Sequence, residues 1–244
     1  GDVFTAGFVY EPSWFNGFSI NVDYWDYSLD DVITAVDVNT SAEICLNSGD
    51  PQFCNYITRL SNGQVQVIQQ PTINLGKLET AGYDFGVKYA LRDTAAGSFQ
   101  FTLDATYIDK YDSTPCDVCE TTHVAGTFDR QYGNYAKWRG LASVGWAYDA
   151  MTALLSWRYI DSLVLKDADA IIDGVTLNIP SKSYLDLTVG YTFWDKLTIT
   201  AGVDNLTNEQ PPILYQNNVT NANTDVSTYD TVGTYYRMGV KYKF

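Results

Sequence analysis

Tyr184-Leu185-Asp186-Leu187-Thr188-Val189-Gly190-Tyr191-Thr192-Phe193-Trp194-Asp195-Lys196-Leu197-Thr198-Ile199-Thr200-Ala201-Gly202-Val203-Asp204 holds two runs of strict alternation around a short polar turn. Leu185, Leu187, Val189, Tyr191 and Phe193 interleave with Asp186, Thr188, Gly190 and Thr192. Leu197, Ile199, Ala201 and Val203 interleave with Thr198, Thr200, Gly202 and Asp204. Successive side chains on a strand point to opposite faces, so each run has one oily and one wet side. A helix would repeat its apolar residues at three- and four-residue steps instead. The stretch reads as a β-hairpin.

The same period runs outward in both directions. Tyr83, Phe85, Val87, Tyr89 and Leu91 alternate with Asp84, Gly86, Lys88 and Ala90, and Phe99, Phe101, Leu103, Ala105 and Tyr107 with Gln100, Thr102, Asp104 and Thr106. At the end of the chain Tyr236, Met238, Val240, Tyr242 and Phe244 stand against Arg237, Gly239, Lys241 and Lys243. The pattern predicts an all-β chain of about nine strands, near 2–11, 17–36, 73–91, 98–111, 135–148, 151–165, 182–193, 197–206 and 231–244.

The connections sort by length. Pro12–Asn16, Arg92–Gly97, Asp149-Ala150 and Trp194–Lys196 are short, and they alternate with long segments near 37–72, 112–134, 166–181 and 207–230. A transmembrane antiparallel β-barrel has this arrangement, with tight periplasmic turns and long extracellular loops. Aromatic residues collect at both strand ends. Trp14, Phe99, Trp146, Tyr148, Phe193 and Trp194 lie beside short turns, while Tyr24, Trp25, Tyr107, Trp138, Tyr159 and Tyr184 lie toward long loops. Two aromatic girdles flanking an apolar band mark strand ends at lipid headgroup level. The competing reading is a soluble β-sandwich, in which one sheet face packs on a core.

Composition supports the interfacial reading. The 244 residues include 19 Tyr, 11 Phe and 6 Trp against 2 Met and 1 His, and Tyr and Trp suit a boundary between oil and water. The formal net charge of −14 repels a phosphate backbone, so nucleic acid is set aside as a partner. No run approaches the roughly 18 apolar residues of a membrane-spanning helix.

Strand counting suggests a larger wall. With a long loop before it, the last strand descends from outside to periplasm, and counting back makes segment 2–11 descend too. Nine strands break the even count of bacterial single-chain barrels, and an open edge in lipid leaves backbone groups unpaired. Residues 1–244 are therefore expected to be a C-terminal part of a larger barrel, without its early strands. A rival count omits 2–11 and closes eight strands into a small barrel with a structural or adhesive role. A passive porin is a further alternative.

Several stretches carry a family resemblance. Tyr229-Asp230-Thr231-Val232-Gly233-Thr234-Tyr235-Tyr236-Arg237-Met238-Gly239-Val240-Lys241-Tyr242-Lys243-Phe244 resembles the closing strand of TonB-dependent receptors. Gly202-Val203-Asp204-Asn205-Leu206-Thr207-Asn208-Glu209-Gln210-Pro211-Pro212 is similar to their penultimate-strand motif, an Asn-Leu pair followed by a polar residue and prolines. Phe18–Ile33 is similar to their strand-into-loop pattern, and Cys45…Cys54-Asn55-Tyr56-Ile57-Thr58-Arg59 with Asn74-Leu75-Gly76 and Gly82-Tyr83-Asp84 resembles a large subgroup. The resemblance implies a barrel of roughly 22 strands around a plugged lumen in the bacterial outer membrane. It also implies TonB-dependent uptake of a scarce small molecule, such as a ferric siderophore, cobalamin or a saccharide. The implied partners are membrane lipid, the remaining barrel and plug, and the TonB complex acting through that plug.

The four cysteines form two local pairs. Cys45 and Cys54 flank Gly49-Asp50-Pro51, a turn that lets the ends meet, and a disulfide there would constrain the unfolded chain by about 2–3 kcal/mol. Cys116 and Cys119, with His123 and Asp129, invite a zinc reading. With no second CxxC or His, a loop disulfide is the favoured alternative, and no metal or cofactor is expected. Lys166–Gly174 resembles a calcium loop but lacks its terminal Glu. Phe53, Tyr56, Phe128, Tyr132 and Tyr215 are candidate ligand-facing loop aromatics, able to stack on a sugar ring or to pack the loops. The acidic loops disfavour a polyanionic ligand and favour a neutral, carbohydrate-like or cationic one. Nucleophile-elbow, metalloprotease and phosphate-loop motifs are missing, so no enzyme is expected.

Overall fold

The computed structural model describes residues 1–129, 133–165, 178–214 and 223–244, without the side chains of Leu75 and Asp129. In chain order, the first elements are β1 (Asp2–Tyr10), β2 (Phe18–Ala35), α1 (Val38–Ser48), α2 (Pro51–Cys54), β3 (Ile57–Arg59), β4 (Val65–Ile68), β5 (Thr72–Thr94) and β6 (Gly97–Thr114). Then follow β7 (Thr122–His123), β8 (Thr127–Asp129), β9 (Gly133–Asn134), β10 (Trp138–Tyr148), β11 (Met151–Ile160), β12 (Leu163–Leu165), β13 (Asn178–Ile179), β14 (Lys182–Phe193), β15 (Leu197–Asp204) and β16 (Tyr235–Tyr242).

Nine strands form one path in the main sheet, β1-β2-β5-β6-β10-β11-β14-β15-β16, with β7 attached to β6. They match the nine strands read from the sequence. Among the described residues β16 pairs only with β15, and β2 pairs with β1 and β5, so neither a nine-stranded nor an eight-stranded ring is sealed. The bounds shift where strands meet loops. Tyr135 lies outside β10, and β11 ends at Ile160 while Leu163–Leu165 leaves for another sheet. Short turns join Tyr148 to Met151 and Phe193 to Leu197. Asp149 (φ 50°), Trp194 (φ 49°) and Asp195 (φ 57°) supply the left-handed conformations that reverse the chain tightly.

The chain divides into two compact units. Unit 2, made of Thr5–Tyr24, Gly82–Asp109 and Ala125–Phe244, contains the sheet whose register decides the solvent question. From β6 to β16 every neighbouring pair is antiparallel. Cross-strand partners share a face. One row reads Phe101, Val144, Leu155, Leu187 and Val203, ending on Tyr236. The row on the opposite face reads Thr102, Ser143, Ser156 and Asp186. The apolar face stays open: Phe101, Leu155, Val189, Tyr191, Tyr236, Met238 and Val240 are exposed, Met238 at 74%. A sandwich would bury those residues between layers, so the sandwich reading fails.

Unit 2 also contains a second sheet, β13-β12-β8-β9, built from loop segments. Its β8–β12 pair is parallel, matching Thr127 with Val164 and Phe128 with Leu165. Phe128, Leu163, Ile179 and Leu214 close with Tyr184 and Tyr229 into an apolar core. Burial pushes the Tyr229 phenol above its ordinary value, opposed by the bond its oxygen accepts from Asn134 Nδ2 at 3.1 Å.

Unit 1 comprises Gly1–Phe4, Trp25–Ala81 and Lys110–Val124. It contains two short helices that the alternation does not predict. Asp37 caps α1 by accepting from the Asn39 N–H, and Gly49 (φ 66°) ends it; Asp50 caps α2, with Pro51 in its first turn. Val36, Phe53 and Cys116 form its buried core. Two disulfides brace this core: Cys45–Cys54, and Cys116–Cys119 with a Cα separation of 5.0 Å.

Candidate functional site

The polar face of unit 2 carries a recess of about 550 Å³. Its charged side chains come from four strands: Asp84 on β5, Asp104 on β6, Arg139 on β10 and Arg158 on β11. Asn21 lies on one side, and Ser227 and Thr228 reach it from the segment before β16. Register builds it. Thr106 faces Arg139, while Asp104 faces Leu141, which in turn faces Arg158. Gly86 leaves room for the Asn21 amide, onto which a Cβ would fall.

Neutral partners hold the charges in place. Thr106 donates to Asp84 Oδ1 at 2.6 Å. Arg139 Nη2 donates to the Asn134 carbonyl at 2.6 Å and to its side-chain oxygen at 3.0 Å. The Arg158 guanidinium lies 4.5 Å from the centroid of the Tyr184 ring, itself 0% exposed. A guanidinium held over a ring face by cation–π attraction keeps N–H groups that can serve an anion.

The motif after β15 forms a clasp. Asn205, 1% exposed and in the left-handed region (φ 52°), accepts from the Glu209 N–H at 2.7 Å and donates to the Glu209 carbonyl at 2.9 Å. Its own N–H donates to Asp186 Oδ1 at 2.8 Å, and Lys182 Nζ sits 2.7 Å from Glu209 Oε1. Asp204 receives Arg237, whose guanidinium also reaches Thr188. A Cβ at Gly202 would come within 2.8 Å of Arg237 Cζ, so that glycine makes the crossing possible. Leu206 is exposed and Pro211 half-buried, while Tyr236, Tyr242 and Phe244 are exposed.

The loop aromatics fall differently. Phe53 (2% exposed) and Phe128 (3%) pack the two loop cores, and Tyr56 meets Phe53 edge-on at 6.1 Å. Tyr132 and Tyr215 lie outside the described residues, as does the calcium-like stretch at 166–174. The sulfurs of Cys116 and Cys119 bond to each other, which removes the thiolates a zinc ion would need. His123 Nδ1 lies 2.7 Å from Asp112 Oδ1. The charged recess was not singled out from the sequence. Its residues occupy polar positions of the alternation, but only the pairing register brings Asp84, Asp104, Arg139 and Arg158 around one space.

The family model described as TonB dependent receptor-like, beta-barrel matches residues 1–206. The chain belongs to that family. Its sheet is accordingly part of the wall of a TonB-dependent receptor barrel. No curated protein matches the chain. Among solved structures it is similar to the FrpB iron transporter from Neisseria meningitidis, in apoprotein form. The identity is 15% and the TM-score 0.60, covering 99% of this chain and 31% of that one. It is also similar to the ferric enterobactin receptor PfeA from Pseudomonas aeruginosa in complex with BCV-L6, at 13% identity and TM-score 0.59, with 99% and 31% covered. Identities this low show the fold alone. The chain spans less than a third of the length of these structures.

Proposed function

We propose that residues 1–244 supply C-terminal strands and surface loops of a TonB-dependent importer in the bacterial outer membrane. The reading rests on one observation above the others: an unbroken apolar face, open to solvent from β6 to β16, backed by a polar face. Lipid is the solvent that suits such a face. A plug in the lumen, coupled to the TonB complex, would supply the energy, and the cargo is a scarce nutrient of the siderophore, cobalamin or saccharide kind. Because the similar structures are an iron transporter and a ferric enterobactin receptor, iron chelates are the first cargo to try. The protein's work is gated transport, with no bond-making step.

Two measurements test this reading. Uptake conferred by the full-length receptor should fall to background when the energy-transducing protein is deleted; unchanged uptake would make the barrel a passive porin. Leu155→Arg, on the apolar face, should destabilise the receptor by about 2–4 kcal/mol near the bilayer midplane, read by heat-modifiable migration. Ser156→Arg, on the lumen side, should leave that migration unchanged.

A further inference from the structure

The recess separates its charges. Both carboxylates, Asp84 and Asp104, come from β5 and β6, and both guanidiniums, Arg139 and Arg158, from the next two strands of the order. Among the described residues none of the four enters an ion pair. Leu141 stands between Asp104 and Arg158, which are therefore two strand spacings apart, about 10 Å. Each of Asp84, Arg139 and Arg158 is steadied by a neutral neighbour: Thr106, Asn134 and the Tyr184 ring. With three of the four charges held and opposite signs kept apart, the recess carries a dipole across it. Asp104 and Arg139 are exposed and Asp84 and Arg158 half-buried, so a ligand of complementary charge can reach all four.

Resting on the importer reading above, we propose that this recess binds a zwitterionic group of the cargo, about as long as an extended tripeptide. Its carboxylate lies against Arg139 and Arg158 and its ammonium against Asp84 and Asp104. Arg158, held over the Tyr184 ring, has the two-pronged N–H edge that matches a carboxylate. Asp104, whose carboxylate makes no hydrogen bond to a described residue, accepts from the ammonium, and the Ser227 and Thr228 hydroxyls serve the polar middle. Three extended residues span roughly 10 Å, matching the two strand spacings between Asp104 and Arg158. The recess volume, about 550 Å³, falls within the roughly 300–1,000 Å³ of small-molecule sites. With two acids and two bases around it, a polyanion or polycation meets as much repulsion as attraction.

The test is calorimetric titration of the full-length receptor in detergent with free trialanine, N-acetyl-trialanine and trialanine amide. Trialanine should bind saturably, and each capped form at least tenfold more weakly. Asp104→Asn should abolish the preference for the free amine while keeping that for the free carboxylate, and Arg158→Gln should do the reverse. Heat-modifiable migration establishes that both variants are folded barrels, and the capped peptides need no variant at all. No saturable trialanine binding, capped forms that bind equally, or folded variants that keep both preferences would each overturn the proposal. The importer reading fails on a different result, uptake that persists without the energy-transducing protein, whatever the titration gives.

Discussion

The two loop cores of this chain reach the same end by opposite means. The core of unit 1 is small, with Val36, Phe53 and Cys116 buried, and two disulfides fasten it across sequence separations of 9 and 3. The core of unit 2 has no cysteine. It gathers Phe128, Leu163, Ile179, Tyr184 and Tyr229, the first and last of them 101 positions apart, around a parallel pair of short strands. One core adds local covalent bonds to its burial, and the other relies on apolar burial alone. Where a loop cannot bury much surface, a cross-link compensates by constraining the unfolded chain.

The contrast breaks most visibly at the wholly buried ring. In the full-length receptor, Tyr184→Ala removes the ring beneath Arg158 and should cost about 3–5 kcal/mol. Hydrogen exchange would show β8, β12 and the segment around Tyr229 losing protection while α1 and α2 keep theirs. Next in size is Cys45→Ser combined with Cys54→Ser. Opening that ten-residue loop should cost about 2–3 kcal/mol, seen as faster exchange at 38–54 alone. Loss of protection in both cores from either change would mean that they form one cooperative body.

Smaller effects sharpen the picture. Asn205→Ala deletes both side-chain bonds to Glu209 and leaves a β-carbon in the left-handed region, for about 1–3 kcal/mol. Asn205→Gly, which tolerates that backbone, should recover part of the loss in a denaturant titration. The smallest effect is alkaline. The Tyr229 phenol is raised by burial, so its stabilising contribution is complete below the unfolded value near 10. That contribution is lost as pH climbs from there through the raised folded value, because the unfolded chain releases its proton first. Exchange measured on the unit 2 core between pH 9 and 11 should show this loss in the parent and not in Tyr229→Phe.

What could be read from the sequence follows the same division between near and far. The nine main strands were visible because alternation is local: Leu185 through Phe193 and Leu197 through Val203 announce their faces without reference to any partner. The cysteine pairs were visible because they close short loops. The helices were missed although Asp37 and Gly49 stood at their ends, since the residues between them, Val38–Ser48, show no apolar stripe strong enough to compete with a loop reading. The second sheet was out of reach because Thr127 and Val164 meet only after the chain has folded. The recess depends on distance in the same way. Asp104 and Arg158 are polar positions on two strands until Leu141 fixes how far apart they stand.

Cys45 and Cys54 also bear on the order of assembly. A bond whose partners are nine positions apart needs only that short stretch of chain to find itself, and small loops close within roughly 10–100 ns. The thiols can therefore meet while the rest of the polypeptide is still an unpaired, lipid-naive thread, and oxidation can lock them before any strand of the wall has a neighbour. On the importer reading proposed above, that segment would cross the membrane as a finished knuckle, and the assembling wall would have to open wide enough to let it through.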